Sequence, residues 1–253
     1  MKVTFLGTGT SGGVPVIGCS CEVCTSPDSR DKRLRTSAML DIDGKVIVID
    51  AGPDFRQQIL RANVTTLDAL LITHGHRDHI GGLDDIRPFN YLQGQIIDLY
   101  CDKYGEEMIR QQYPYAFTDH DYAFAPRANF HRVGQEPFDV CGITVTPIEV
   151  MHYKLPVMAY RIADFTYITD AKTISDTEKE KLKGTKTLVV NALHEREHIA
   201  HYTIAEALDL IAEIKPDMAY LVHMSHQFGR HADMESRLPA NVRIAYDGLV
   251  IEI

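Results

Sequence analysis

The run "ALLITHGHRDH" at residues 69–79 narrows the choice of folds more than any other stretch of this chain. Its first half is a short apolar segment of the kind that forms a buried strand. Its second half sets His74, His76, Asp78 and His79 within six positions. On a helix, residues two apart would point apart, and the glycines at 75, 81 and 82 argue for a turn. Four potential metal ligands on a loop leaving a strand can diverge to two ions rather than crowd one. Imidazoles with a carboxylate suit Zn, Mn or Fe rather than Ca.

Other apolar runs also end on a metal-binding residue type. "VTPIEVM" leads to His152, "FTYIT" to Asp170 and "MAYLV" to His223. In α/β proteins, sites assemble at the carboxyl ends of strands. One such histidine would be read as structural, but three such ends beside the His74–His79 cluster predict a site.

The rest of the chain fits one α/β unit. Apolar runs rich in β-branched residues predict strands at "KVTFLG", "SAMLDID", "KVIVIDA", "ALLITH", "IIDLYC", "GITVTPIEVM", "VMAYRI", "TYITD", "TLVVNA", "MAYLVHM", "VRIAYD" and "LVIEI". Helices are predicted near 54–62, 82–92, 103–112, 174–183 and 203–215. In the last, Ile204, Ala207, Leu208, Ile211 and Ile214 make an apolar stripe behind a Thr203/Glu206 capping box. Many strands with interspersed helices suggest an αββα sandwich, and 253 residues can bury such a core as one domain spanning 1–253.

Hydrophobic content of 45% is that of a globular protein, and no apolar run approaches the ~18 residues of a membrane span. The N-terminal apolar run is too short for a secretion signal, so we expect a cytoplasmic protein with reduced thiols. A net charge of −9 counts against nucleic acid and anionic membrane as partners. "RDKRLR" at 30–35 is a local exception, read as a solvated loop or a small phosphate-steering patch.

In a reducing compartment, clustered cysteines signal metal more often than a disulfide. "GCSCEVC" places Cys19, Cys21 and Cys24 in six positions but supplies no fourth ligand; "HMSHQF" at 223–228 offers His226. Cys101 and Cys141 stand alone and are expected to be buried and inert.

Taken together, "FLGTGTSGGVP", "IDAG", "THGHRDH", His152, "TDA" and "HMSHQF" resemble the metallo-β-lactamase-fold hydrolases from end to end. "GCSCEVC", "HMSHQF" and the terminal "YDGLVIEI" bring the chain closest to the phosphoribosyl cyclic phosphodiesterases of the carbon–phosphorus lyase pathway. The resemblance implies a dinuclear site of Zn or Mn. His74, His76 and His152 would hold one ion, Asp78, His79 and His223 the other, and Asp170 would bridge them. A metal-bridging hydroxide would hydrolyse a small phosphodiester of the cyclic ribosyl kind. Asp50 would orient a ligand histidine. His201 would protonate the leaving group, against the reading of an exposed loop histidine. The resemblance also gives Cys19, Cys21, Cys24 and His226 to one structural Zn, a closed Cys₃His arrangement, and suggests a homodimer. His194 and His198 lie near His201 without an assigned role. Arg87 is either a phosphate contact or a surface residue. The competing functions are a nuclease like the tRNA 3′-processing enzymes and a non-catalytic zinc-binding interaction protein.

Overall fold

The computed structural model of the protein describes residues 1–117 and 124–253. In chain order its strands are β1 (Lys2–Gly7), β2 (Ser37–Ile42), β3 (Lys45–Ile49), β4 (Ala69–Leu71), β5 (Ile97–Cys101), β6 (Ala128–Arg132), β7 (Phe138–Val140) and β8 (Ile143–His152). They continue with β9 (Leu155–Ile162), β10 (Phe165–Tyr167), β11 (Thr173–Ile174), β12 (Thr187–Asn191), β13 (Met218–Val222), β14 (Val242–Ile244) and β15 (Val250–Glu252). The helices are α1 (Phe55–Arg61), α2 (Arg77–Ile80), α3 (Arg87–Gln93), α4 (Lys103–Gln112), α5 (Asp176–Glu180), α6 (Ile204–Ile214) and α7 (His231–Glu235).

One sheet runs β15-β1-β2-β3-β4-β5-β6 and the other β11-β8-β9-β10-β12-β13-β14, with β7 beside β8. Alternation along the strands builds the layers. Ile47 and Ile49 of β3 face a core shared with Tyr160, Phe165 and Val189 of the second sheet. Val48, between them, packs with Phe55, Ile59, Phe89 and Ile109 of the helices covering the first sheet. Leu188 and Val190 turn the opposite way, toward Ile204, Ala207 and Ile211 of α6. The predicted αββα sandwich is therefore the observed one, apolar on both faces of each sheet because both are covered.

Each of the twelve predicted strands is present; β6, β7 and β11 are additional. The helix predicted at 174–183 starts later because Thr173 and Ile174 pair with Met151 and Val150. Ser175 then caps α5 by accepting from Glu178 N. The 82–92 segment is a 3₁₀ turn, Leu83–Ile86, followed by α3, whose first turn holds Pro88 where a missing N–H costs nothing. The histidine motif contains the one-turn helix α2 within the expected turn. The capping box of α6 is formed on both sides, Thr203 Oγ1 accepting from Glu206 N at 3.2 Å and Thr203 N donating to Glu206 Oε2 at 2.8 Å. Among the described residues, no helix is long and apolar enough to cross a membrane.

This topology positions the site. β3 runs parallel to β4, and β10 runs parallel to β12 and β13, so their carboxyl ends meet at one edge of the sandwich. Asp50, His74, Asp170 and His223 follow those ends, and β8 ends on His152.

Candidate metal centre

Three residues at these strand ends, Asp50, Asp170 and His223, have left-handed backbones with φ of 65°, 56° and 59°. A non-glycine residue rarely adopts that conformation. Here it turns each side chain out of the strand direction, which marks the edge as a place where the fold tolerates strain for positioning.

The structure brings the other six predicted ligands around Asp170. Ligand atoms of His74, His79 and Asp170 lie within 4.8 Å of one another, and so do those of His152, Asp170 and His201. The His76 ring is 4.5 Å from that of His74 and 5.3 Å from that of His152. Asp78 Oδ2 is 3.2 Å from His79 Nε2, and His223 Nδ1 is 3.2 Å from Asp170 Oδ2.

The hydrogen bonds show which nitrogens are free. Thr73 Oγ1 donates its one proton to Asp50 Oδ2 at 2.8 Å, so toward His74 Nδ1, 3.1 Å away, it accepts. His79 Nδ1 donates to Asp50 Oδ2 at 2.7 Å, and His152 Nδ1 to the Ala200 carbonyl at 2.9 Å. These contacts aim the Nε2 atoms of the three rings at the centre. His74 Nε2 and His79 Nε2 are buried there without a hydrogen-bond partner. Buried orphan nitrogens beside convergent carboxylates fit a cation, and the donor set fits Zn²⁺ or Mn²⁺.

The electrostatics point the same way. Burial works against charge on His79, yet Asp50, Asp170 and Asp78 raise its pKa well above the ordinary value. Burial also opposes charge on Asp170, but the imidazoles of His223 and His79 hold its carboxyl well below the usual range. His74, buried among other imidazoles, is pushed well down, which leaves it neutral and able to ligate.

His201 is not an exposed loop residue. It is 9% exposed, its ring 4.6 Å from that of His152 and 4.8 Å from that of His223. Its Nδ1 is an orphan 3.7 Å from Asp170 Oδ1. Burial, then the neighbouring imidazoles, push its pKa down to about 3 despite Asp170. The His198 ring lies 5.0 Å from that of His201, and His194 lies 6.0 Å from His198 with a buried, unpartnered Nδ1. Arg87 donates to the Phe124 carbonyl at 3.3 Å and lies 3.7 Å from Asp84, contacts of a surface residue.

Cys19, Cys21, Cys24 and His226 form a second cluster, with Sγ atoms 3.2, 3.5 and 3.6 Å from His226 Nδ1. Sulfur and nitrogen held tetrahedrally about 2.3 and 2.0 Å from one ion stand roughly 3.5 Å apart, so the spacing fits Zn²⁺. The backbone N–H of Cys24 helps lower the Cys21 thiol to about 6, a shift toward the thiolate that metals bind.

Two expectations are corrected. Cys141 is exposed, not buried, because it opens the Cys141-Gly142 hairpin turn with φ 55°. Cys101 is buried as expected, its thiol pushed up to about 12 by burial. "RDKRLR" is neither a fully solvated loop nor a free basic patch. Arg33 is buried, donating to Thr8 Oγ1 and the Ala245 carbonyl at 2.9 and 2.7 Å. Arg30 pairs with Asp28, Arg35 with Asp54, and Lys32 donates to the Cys24 carbonyl.

Supporting residues not singled out from the sequence are Thr10, Thr73 and Thr169. Thr169 donates to Asp170 Oδ2 at 2.7 Å, and Thr10 Oγ1 lies 3.1 Å from His223 Nε2. A signal for two of them exists: "ITH" and "ITD" each place a threonine immediately before a ligand at a strand end.

Comparison with known proteins identifies the family and the fold. Residues 45–224 match the family described as the beta-lactamase superfamily domain. A solved structure titled as a new diphosphatase from the PhnP family is 37% identical, with a TM-score of 0.93 over 100% of this chain and 97% of that one. Zn²⁺-bound PqqB from Methylobacterium extorquens shares the fold, at 21% identity and a TM-score of 0.80 over 100% of both chains. A Porphyromonas gingivalis protein named octanoyltransferase is 40% identical over 252 residues, 98% of this chain but 51% of that protein. The chain thus spans about half the length of that curated relative. With its family match, its sandwich and its His/Asp cluster, the chain belongs to the beta-lactamase superfamily, and the PhnP-family diphosphatase is a likeness along its full length.

Proposed function

We propose that the chain is a metal-dependent phosphodiesterase acting on small phosphodiesters, among them diphosphate esters. The observation that carries this is the convergence of orphaned His74 Nε2, His79 Nε2 and His201 Nδ1 on Asp170. His74, His76, His152, Asp78, His79, Asp170 and His223 would hold two divalent ions. When bound, such ions lower the pKa of water and offset charge on phosphoryl oxygens.

The protein's own groups supply the rest. Asp50 and Thr73 fix His79 and His74, and the Ala200 carbonyl fixes His152. His201 gives a proton to the leaving oxygen as its bond to phosphorus breaks and water adds to phosphorus. With its pKa pushed down to about 3, His201 needs a neighbouring anion to carry that proton. The phosphoryl oxygens of a bound diester supply one. Cys19, Cys21, Cys24 and His226 would hold a structural Zn²⁺ that ties the 19–24 loop to the strand end bearing His223.

The octanoyltransferase name belongs to a protein about twice as long, and we place the transfer it denotes in the half without a counterpart here. The nuclease reading loses its one basic feature, since the cations of residues 30–35 are committed to contacts within the chain. Turnover of bis(p-nitrophenyl) phosphate, alkyl diesters and nucleoside diphosphate esters with Mn²⁺ or Zn²⁺ supplied tests the proposal, and failure on all of them refutes it. His201→Gln should lower kcat by about 10²–10⁴-fold on alkyl diesters and much less on p-nitrophenyl esters, whose leaving group needs no proton.

A further inference from the structure

Four two-residue turns join neighbouring antiparallel strands: Asp43-Gly44, Cys141-Gly142, Tyr153-Lys154 and Ala163-Asp164. The first residue of each is left-handed, with φ of 51°, 55°, 57° and 50°. Three of these turns lie at the edge away from the metal centre. From them β3 runs toward Asp50, β8 toward His152 and β10 toward Asp170. They place aspartate, cysteine and alanine in the strained position. The fourth turn follows His152 directly and places a tyrosine there.

A bulky residue at this φ is an outlier, since left-handed backbone is readily adopted only by glycine, asparagine and aspartate. Burial does not compensate for it: Tyr153 is 53% exposed. Its ring meets the Lys154 ammonium, 5.3 Å from the ring centroid. Strain that is not offset by packing collects where a site uses it. The turn also lies beside the site, because the His152–Ala200 hydrogen bond of 2.9 Å holds the loop carrying His198, Ile199 and His201 alongside it. Ile199 on that loop is 66% exposed, next in the chain to the Ala200 that holds His152, while Tyr153 and Lys154 follow His152 directly.

We propose that Tyr153 is a specificity-determining contact, the stacking surface for a nucleobase carried by the substrate, with Lys154 meeting one of its phosphoryl oxygens. The substrate class is then a nucleotide-bearing phosphoester, which deepens the phosphodiesterase reading and rests on it for the bond that is cleaved. Stacking on an aromatic side chain tolerates any base, because every base has a π-face.

Calorimetric titration of the metal-loaded protein with AMP and with methyl phosphate tests this apart from turnover. The wild type should bind AMP at least about tenfold more tightly than methyl phosphate. Tyr153→Phe should keep that preference and Tyr153→Ala should lose it. Tyr153→Asn, which suits the backbone, should also lose it while raising Tm by about 2–4 °C. Equal wild-type affinities, a preference that survives Tyr153→Ala, or a lower Tm in Tyr153→Asn would each overturn the proposal. Absence of phosphoester turnover would refute the catalytic reading and leave the AMP preference standing, so the two fail separately.

Discussion

His74, His79 and Asp170 are held from outside, by strand ends and by Asp50, Thr73 and Thr169, whereas Cys19, Cys21 and Cys24 are held by one another, His226 and a small cluster of valines. The first group sits at the edge of the sandwich, His74 and Asp170 after the carboxyl ends of β4 and β10 and His79 in α2. The second lies on a loop whose own apolar cluster is Val14, Val23 and Cys24, with Val16, Cys19 and Cys21 packed against it. Buried apolar surface of that size stabilises little. One cluster is placed by the fold; the other, with the structural Zn²⁺ proposed for it, would place part of the fold. Metal loss should therefore cost the first its chemistry and the second its structure.

The sharpest way to break that contrast is to change one donor in each cluster. Asp78→Ala should lower kcat on any accepted diester by at least about 10³-fold, beyond the 10–100-fold typical of a supporting residue. Its Tm should move by less than about 3 °C, because Asp78 is half-buried in the one-turn helix α2, braced by its neighbours. Activity and thermal melts on the same preparation check both halves, and a large loss of Tm would refute the claim that the fold places this cluster. Cys21→Ala should do the reverse. Losing one ligand of a closed site removes folding free energy directly, roughly 3–5 kcal/mol, while kcat falls only as far as the unanchored loop disturbs His223. Denaturant midpoints with metal content measured alongside would show it. Two bound metals and an unchanged midpoint would remove the architectural role.

Asp50→Asn sharpens the same contrast at smaller scale. Asp50 accepts from Thr73 N, Thr73 Oγ1 and His79 Nδ1. An amide keeps the shape but removes the charge that favours protonation at His79 Nδ1. Metal affinity or kcat should fall about 10–100-fold, as for other residues that orient a ligand. Titration with Mn²⁺ separates this from a folding defect.

The contrast also explains what is legible in the sequence. Residues at strand ends follow from apolar period and ligand type, so His74, His152, Asp170 and His223 can be placed from the amino-acid order alone. His226 is matched to the cysteines by the family resemblance, since twelve histidines in the chain leave the choice open on residue type alone. Thr10 and Ala200 cannot, because the first acts from a loop of no fixed period and the second through its backbone carbonyl. Arg33 is hidden for a related reason: a cationic run looks solvated unless the chain is known to fold back over it. Cys141 departs in the opposite sense, since the need for a turn before Gly142 outweighs the thiol's preference for burial.

That fold-back supplies the smallest of the tests. Arg33 Nη2 lies 3.3 Å from His231 Nδ1, which must be neutral to accept from it. Asp31 accepts from His231 N at 2.7 Å, and Glu235 stands 4.0 Å from Nε2. Burial, then Arg33 and Arg30, push His231 down to about 4, with Asp28 and Asp31 pulling the other way. An unfolded histidine titrates near 6.5. Between about pH 6.5 and 4 the unfolded chain therefore binds the extra proton, and stability contributed by neutral His231 is lost as pH falls through that window. From pH 7.5 to 5.5 the loss should be about 1 kcal/mol. His231→Asn keeps an acceptor for Arg33 and removes the titration, so the wild type should lose about that much more than the variant over the same interval. Subtracting the two denaturation curves cancels the metal-ligand histidines common to both. Equal pH slopes would show that Arg33 does not hold His231 neutral, and that the basic run is anchored to the chain by its backbone and carbonyl contacts instead.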